Sequence, residues 1–380
     1  MKNYIFGIGY FANRVEEQFS KIGVRINGLL ELKETYMPIY IEPNKNVPTY
    51  YLDDESDIDK SSNIIIAQKP IIMGDTIAFL RRKGFSNIYI VNEEILHNNC
   101  LCIEDIMKYC YKLDLNMPFL NYLEMNVVDH CNLNCKGCAH FSNICDNGYV
   151  SIESFENDIK LIAKNFNLYY FRILGGEPLL HPNILEIMKI ARDNLPNTNI
   201  VVVTNGLLIN KISPEILQSF VDNNITICIS LYEPTYHIIE QIMNRLNSYK
   251  INYILNDDYT KKLETIKTFQ TRLTDIKDNN GEKVSKMCIG RFCRFLRDGK
   301  ISKCYYPLLI DILNKKCKKD FVLQEKDYIE LKNISNGWEA IEQLNNSIPF
   351  CDYCCEEVLD FSWESGHKND NDVYQYILKK

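Results

Sequence analysis

Short apolar runs alternate with stretches of helical apolar spacing along most of this 380-residue chain. Residues 4–9 form a buried-strand run, residues 10–22 carry apolar positions three and four apart, and residues 25–30 return to a strand run. Strand runs recur at 63–67 and 87–91 with a helix over about 74–83 between them, so residues 1–115 are expected to form a small Rossmann-like parallel α/β domain. Residues 100–116 read as a connecting helix, and Pro118 marks the boundary. From residue 119 a strand–loop–helix rhythm sets in, with strands at 120–128, 169–174, 199–204, 225–231 and 252–255 and helices at 151–166, 183–194, 214–223 and 235–248. Such alternation calls for a parallel sheet covered by helices, and a partial (β/α)6 TIM-like barrel over residues 119–285 suits the length.

Beyond Asp257 the pattern fades into polar stretches at 257–262 and 275–283, with a turn at 278–281, and then into a small cysteine-rich region, 286–380. The hydrophobic content of 46% is that of a globular protein, and 43 basic against 50 acidic residues give a net charge of −7 without a basic stripe. That balance offers no electrostatic footprint for nucleic acid or an anionic membrane and leaves a small, locally recognised substrate as the expectation. No apolar run approaches the roughly 20 residues of a membrane helix, and the N-terminus enters a strand without a signal-peptide pattern, which predicts a cytoplasmic protein.

Fifteen cysteines change the picture, because clustered thiols in a chain without an export signal point to metal or clusters in place of disulfides. Cys131, Cys135 and Cys138 fall in one loop after the 120–128 strand. A loop of this length can curl around a cubane iron-sulfur cluster so that each sulfur meets its own iron and the fourth iron stays open to bind another molecule. The ends of the following strands carry Gly175, Gly176, Glu177 and Pro178, then Thr204, Asn205 and Gly206, then Ser230 to Glu233, where sites in parallel sheets form. A closed cluster or zinc site with Cys145 or a distant cysteine as fourth ligand is the alternative on the triad alone. In the first domain Gly7, Gly9 and Ala12 match a dinucleotide-binding turn, with Glu31 placed for a ribose hydroxyl; the same turn also serves a fold that binds no nucleotide.

Cys131-x3-Cys135-x2-Cys138 followed by Gly175-Gly-Glu-Pro178 resembles the radical S-adenosylmethionine (SAM) superfamily. The resemblance implies that Cys131, Cys135 and Cys138 hold a four-iron four-sulfur cluster whose open iron is chelated by SAM. It further implies that Gly175 and Gly176 bring backbone close to SAM, that Glu177 supplies an acceptor for its amino group, and that Pro178 fixes the loop exit. Asn205 and Ser230 are expected at the SAM ribose or carboxylate. Family members carry an aromatic residue just before the third cysteine, near the adenine; here that position is Gly137, and Phe141 is expected to substitute.

The tail adds Cys288, ten residues, Gly299, four residues and Cys304, and later Cys351-x2-Cys354. This resembles the auxiliary-cluster extensions of that family called twitch and SPASM, and implies a second four-iron four-sulfur cluster on Cys288, Cys304, Cys351 and Cys354, with Cys293 and Cys355 as alternative ligands. A hairpin at Arg297-Asp-Gly-Lys300 is expected to bring Cys288 and Cys304 together; the same cysteines also suit a zinc ribbon. Together these likenesses imply hydrogen abstraction from a carbohydrate, sugar nucleotide or related metabolite (dehydrogenation, epimerisation or deoxygenation), with a reduced flavodoxin- or ferredoxin-type electron donor. The sugar-nucleotide element comes from the first domain, whose Phe6-to-Ala12 turn resembles the small Rossmann-like domains of enzymes that modify nucleotide sugars. A SPASM-type peptide maturase and a non-catalytic iron-sulfur or zinc sensor are the alternatives.

Overall fold

A computed structural model describes residues 2–32, 47–52, 58–68, 70–91, 110–257, 262–277, 280–288, 290, 293–366 and 372–378, with backbone only for 70–72. The chain divides into two compact units, Met1–Asn121 and Tyr122–Lys380.

In the first unit β1 (Asn3–Phe6), α1 (Tyr10–Lys21), β2 (Gly28–Glu31), β3 (Thr49–Tyr51), β4 (Asn63–Ile66), α2 (Pro70–Arg82), β5 (Ile88–Val91) and β6 (Cys110–Lys112) build one sheet of order β3-β2-β1-β4-β5-β6. Strands β1 to β5 pair in parallel and β6 runs antiparallel to β5. Helix α1 lays Ala12, Val15 and Phe19 against Ile5, Leu29 and Ile65, so the helical spacing of the sequence becomes the core contact. The connecting helix expected at 100–116 is corrected in part: residues 110–112 form an edge strand, because their backbone completes the ladder of β5, and residues 100–109 lie outside the described residues.

Gly7 has φ +128°, and a Cβ there would stand 2.6 Å from the Ala67 carbonyl oxygen beyond β4. The glycine turn therefore serves the close approach of β1 to β4. Glu31, only 6% exposed, accepts the Leu32 N–H at 3.0 Å.

In the second unit the strand–helix rhythm holds through β7 (Phe119–Val128), α3 (Ile152–Asn165), β8 (Asn167–Gly175), α4 (Ile184–Asn194), β9 (Asn199–Thr204), α5 (Pro214–Asp222), β10 (Thr226–Ile229), α6 (Glu233–Tyr236), α7 (Ile239–Ser248) and β11 (Tyr253–Leu255). Next come β12 (Thr268–Leu273), α8 (Gly281–Met287), β13 (Phe295–Arg297), β14 (Lys300–Ser302), α9 (Tyr306–Cys317), β15 (Ile329–Glu330), α10 (Gly337–Asn345) and β16 (Cys354–Ser362). The main sheet has the order β11-β10-β9-β8-β7-β13-β14-β15, with β11 and β15 as its edges among the described residues. It is an open α/β sheet.

The cysteine-rich region does not stand apart as a third unit. Strand β13 pairs in parallel with β7 and extends the sheet, and Phe295, Tyr306, Leu309, Phe350 and Ile377 share one core with Phe141, Ile144 and Leu174. The Arg297–Lys300 hairpin forms, with Asp298 and Gly299 both at positive φ. At the expected 278–281 turn, Asn280 instead caps α8 by accepting the Lys283 N–H at 3.0 Å; residues 278 and 279 lie outside the described residues.

Gly7→Ala is expected to cost about 1–3 kcal/mol, since it needs both a left-handed backbone and a displaced carbonyl. Calorimetry should show the transition of the first unit moving down while that of the second stays in place.

Candidate functional site

The cysteine loop leaves the carboxyl end of β7 and turns sharply at Asn134, Gly137 and Phe141, all at φ between +52° and +65°. These kinks draw Cys131, Cys135 and Cys138 into one short stretch of loop. Burial pushes the Cys131 and Cys135 thiols up to about 12; the Glu177 charge adds to the first, the Cys138 charge to the second. Three N–H groups aim at these sulfurs: Leu133 N at 3.4 Å and Asn205 Nδ2 at 3.6 Å from Cys131 Sγ, and Trp363 Nε1 at 3.1 Å from Cys135 Sγ. Donors aimed at buried sulfur suit thiolates held by iron, whose positive charge offsets the burial. Among the described residues no three His, Cys, Asp or Glu side chains are placed to hold a single metal ion, and a cubane takes each thiolate on its own iron.

The glycine loop at the end of β8 is stitched to the cysteine loop. Gly176 N–H donates to Val128 O at 2.8 Å, and Glu177 N–H donates to His130 O at 3.1 Å. A Cβ on Gly175 would meet Val128 O at 2.2 Å, and one on Gly176 would meet His130 O at 1.9 Å. Both glycines are thus dictated by the contact between the two loops.

Glu177 is fully buried, with Oε1 accepting from Leu179 N and Thr204 Oγ1 at 3.1 and 2.8 Å and Oε2 accepting from Asn205 N at 2.9 Å. Burial raises its pKa to about 7 against these three donors, and its place is a brace between β8 and β9. Phe141 is 1% exposed and packed by Tyr306 and Tyr376 within the core.

Pro178 is buried at the start of a 3-10 turn, Pro178–Leu180. Asn205 faces the cysteine loop, its Nδ2 donating to Asn132 Oδ1 at 2.7 Å as well as toward Cys131. Ser230 is half-buried and ties β10 to β9 through its N–H and Thr204 O at 2.9 Å.

The segment after β16 was missed by sequence reasoning. Lys136 N–H donates to Glu364 O at 3.0 Å, Gly366 N–H to Asn134 O at 2.7 Å, and Ser365 Oγ to Leu133 O at 3.1 Å. A Cβ on Gly137 would meet the Phe361 ring at 2.4 Å and Gln375 O at 2.7 Å. The strap lying on the cysteine loop therefore accounts for glycine at position 137. No local pattern announces pairing across more than two hundred residues.

Cys288, Cys304, Cys351 and Cys354 come from the end of α8, the end of β14, a 3-10 turn at Pro349–Tyr353 and the start of β16. Burial pushes the Cys304 and Cys354 thiols well up, and the charges of Cys351 and Cys288 act on both, so the four share one neighbourhood. Gly281 N–H donates to Asp352 Oδ1 at 3.0 Å and ties α8 to the cysteine turn. Of the alternative ligands, Cys293 is half-buried, desolvation pushing its thiol up to about 12 with the charge of Cys288 among the lesser causes, and Cys355 Sγ is turned to Glu357 O at 3.4 Å.

A polar row runs along β7 toward the cysteine loop, because alternate residues share a face. Tyr122 bonds Glu124; Arg172 Nη1 donates to Tyr122 Oη at 2.9 Å and Arg172 pairs with Asp257 at 3.1 Å; Asn126 bonds His140 Nδ1 at 2.8 Å. His140, two residues past Cys138 at that loop's far end, stacks on Tyr305.

The open α/β sheet thus carries a three-cysteine loop at one strand end, braced by a glycine loop at the next. Residues 125–270 match the family described as the Radical SAM superfamily, and this segment is a radical SAM domain whose cofactors are a four-iron four-sulfur cluster and SAM. Curated relatives include the GTP 3',8-cyclase of Microcystis aeruginosa (26% identical over 107 residues, 27% of this chain and 32% of the relative). Another is the GTP 3',8-cyclase of Alkaliphilus metalliredigens (32% over 96 residues, 24% and 29%). The chain spans about a third of the length of these relatives. Among solved structures it is similar to BtrN in complex with AdoMet and 2-DOIA (TM-score 0.38, 15% identity, 68% of this chain and 98% of that one). It is also similar to native anSMEcpe with bound AdoMet and Cp18Cys peptide (TM-score 0.29, 21% identity, 35% and 41%).

Gly176→Ala is expected to part the two loops, costing about 1–3 kcal/mol through overpacking against a carbonyl; reconstituted protein should then retain less iron while the first unit melts as before. Glu177→Gln is expected to cost about 1–3 kcal/mol, because its amide turns an N–H toward one of three donors that Glu177 accepts; a urea unfolding series on the second unit checks it.

Proposed function

We propose that this chain is an oxidoreductase-type radical SAM enzyme with one auxiliary cluster, acting on a small polar metabolite such as a carbohydrate or sugar nucleotide by dehydrogenation, epimerisation or deoxygenation. Cys131, Cys135 and Cys138 would hold the first cluster, and Cys288, Cys304, Cys351 and Cys354 the second. When bound, the first cluster supplies the electron that splits SAM into methionine and a 5′-deoxyadenosyl radical, the hydrogen abstractor.

The chain's own part is positioning and exclusion of water. The glycine loop fixes the height of the cysteine loop, Glu177 locks both to β9, and the Asn205 amide stands at Cys131. The observation that carries the substrate reading is the polar row of Tyr122, Glu124, Asn126, His140 and Arg172, which ends at the cysteine loop. Pairing of Arg172 with Asp257 and Glu124 offsets the cost of burying this charge, and hydroxyl-rich molecules match the chemistry of such a row. The GTP 3',8-cyclase relatives make a purine nucleotide the first comparison ligand.

After anaerobic reconstitution and reduction by dithionite, SAM is expected to yield 5′-deoxyadenosine with the intact triad and none above background in Cys131→Ala. Iron should approach roughly eight per chain for two four-iron clusters and fall by about half in the Cys288→Ala/Cys304→Ala variant. Zinc in place of half the iron would overturn the second cluster, and absence of 5′-deoxyadenosine would leave a non-catalytic cluster protein.

A further inference from the structure

The residue of the strap closest to the cysteine chemistry is Trp363, whose indole Nε1 lies 3.1 Å from Cys135 Sγ. Its ring is held in two ways. One face stacks on Tyr232, at 5.2 Å between centroids and 24° between planes, and Tyr232 in turn packs edge-on against Phe269. The backbone on either side is fixed: Trp363 N–H donates to Lys267 O at 2.8 Å, and Glu364, Ser365 and Gly366 make the three bonds to the cysteine loop already described. Ring orientation is therefore set from outside the cysteine loop, and the N–H has one direction in which to point.

We propose that Trp363 is a positioning residue that tunes the reduction of the cluster held by Cys131, Cys135 and Cys138, by donating its indole N–H to the Cys135 sulfur. The proposal rests on the reading that this loop holds a redox-active cluster. An N–H dipole aimed at sulfur stabilises negative charge there, and more so after the cluster has gained an electron, so it favours the reduced state. Reduction here takes one electron from an external low-potential one-electron reductant, dithionite in the test. No proton moves, because the indole hydrogen stays on its nitrogen.

Solvent acts on the same couple, so truncation to alanine would mix a lost hydrogen bond with newly admitted water. Trp363→Phe keeps a ring against Tyr232 and removes the donor. In the reconstituted full chain carrying Cys288→Ala and Cys304→Ala, leaving only the loop cluster, Trp363→Phe is expected to make reduction about tenfold less favourable. At 59 mV per tenfold for a one-electron couple, that is a fall of about 59 mV in an EPR-monitored potentiometric titration. Ser365→Ala, which loosens the strap without touching sulfur, should leave the potential in place.

A second measurement guards against a variant that fails to take up iron. In the protein with native Trp363 and Trp338→Phe, grown with 15N-indole tryptophan, pulsed EPR of the reduced cluster is expected to show 15N coupling. An unchanged potential in Trp363→Phe, an equal shift in Ser365→Ala, or absent 15N coupling would each overturn the proposal. If no cluster assembles in the protein with Trp363 in place, the cluster reading falls first and this one with it.

Discussion

The contact on which the second unit depends is the approach of two strand-end loops so close that the glycine loop can carry no side chain at the crossing. Gly176 lies under the His130 carbonyl, and Gly175 lies under that of Val128, with Gly176 and Glu177 N–H groups closing the gap. Cys131 follows His130 directly, so the height of the cysteine loop above the sheet is set by a glycine at the next strand end. Glu177 carries the same constraint one strand farther, to Thr204 and Asn205, and Asn205 returns to Cys131. The circuit is closed: three strand ends fix one sulfur.

The far side of the loop is fixed by the tail. Residues 361–366 and Gln375 pair with residues 133–137, and the aromatic core of Phe295, Tyr306 and Phe350 merges with Phe141 and Ile144. A cysteine-rich region that extends the main sheet through β13 holds its four thiols within the same folded unit as the first three.

Local signals carried much of this into the sequence. The strand–helix alternation from β7 to β11 was legible because each strand is a short apolar run and each helix shows one apolar stripe, and the Asp-Gly turn announced the β13–β14 hairpin. The triad and glycine loop were legible as residue types at strand ends. The partners of those residues were not. Glu177 was expected to face a ligand, since a conspicuous carboxylate at a strand end looks available; its burial depends on Thr204 and Asn205 arriving from the next strand. Phe141 was expected beside a cofactor because of its place in the loop, yet its positive φ turns the ring into the core. Strand β12 and the Trp363 strap depend on pairing between residues some ninety to two hundred and thirty apart, which no window of sequence records.

The central claim is that SAM binds the open iron of a cluster on Cys131, Cys135 and Cys138, at the crossing held by Gly175 and Gly176. The most direct measurement is the EPR spectrum of the reduced loop cluster, isolated by the Cys288→Ala/Cys304→Ala variant, recorded with and without SAM. Ligation of the open iron predicts a changed set of g-values when SAM is added, and loss of that change in Gly176→Ala. A spectrum that is identical with and without SAM would contradict it.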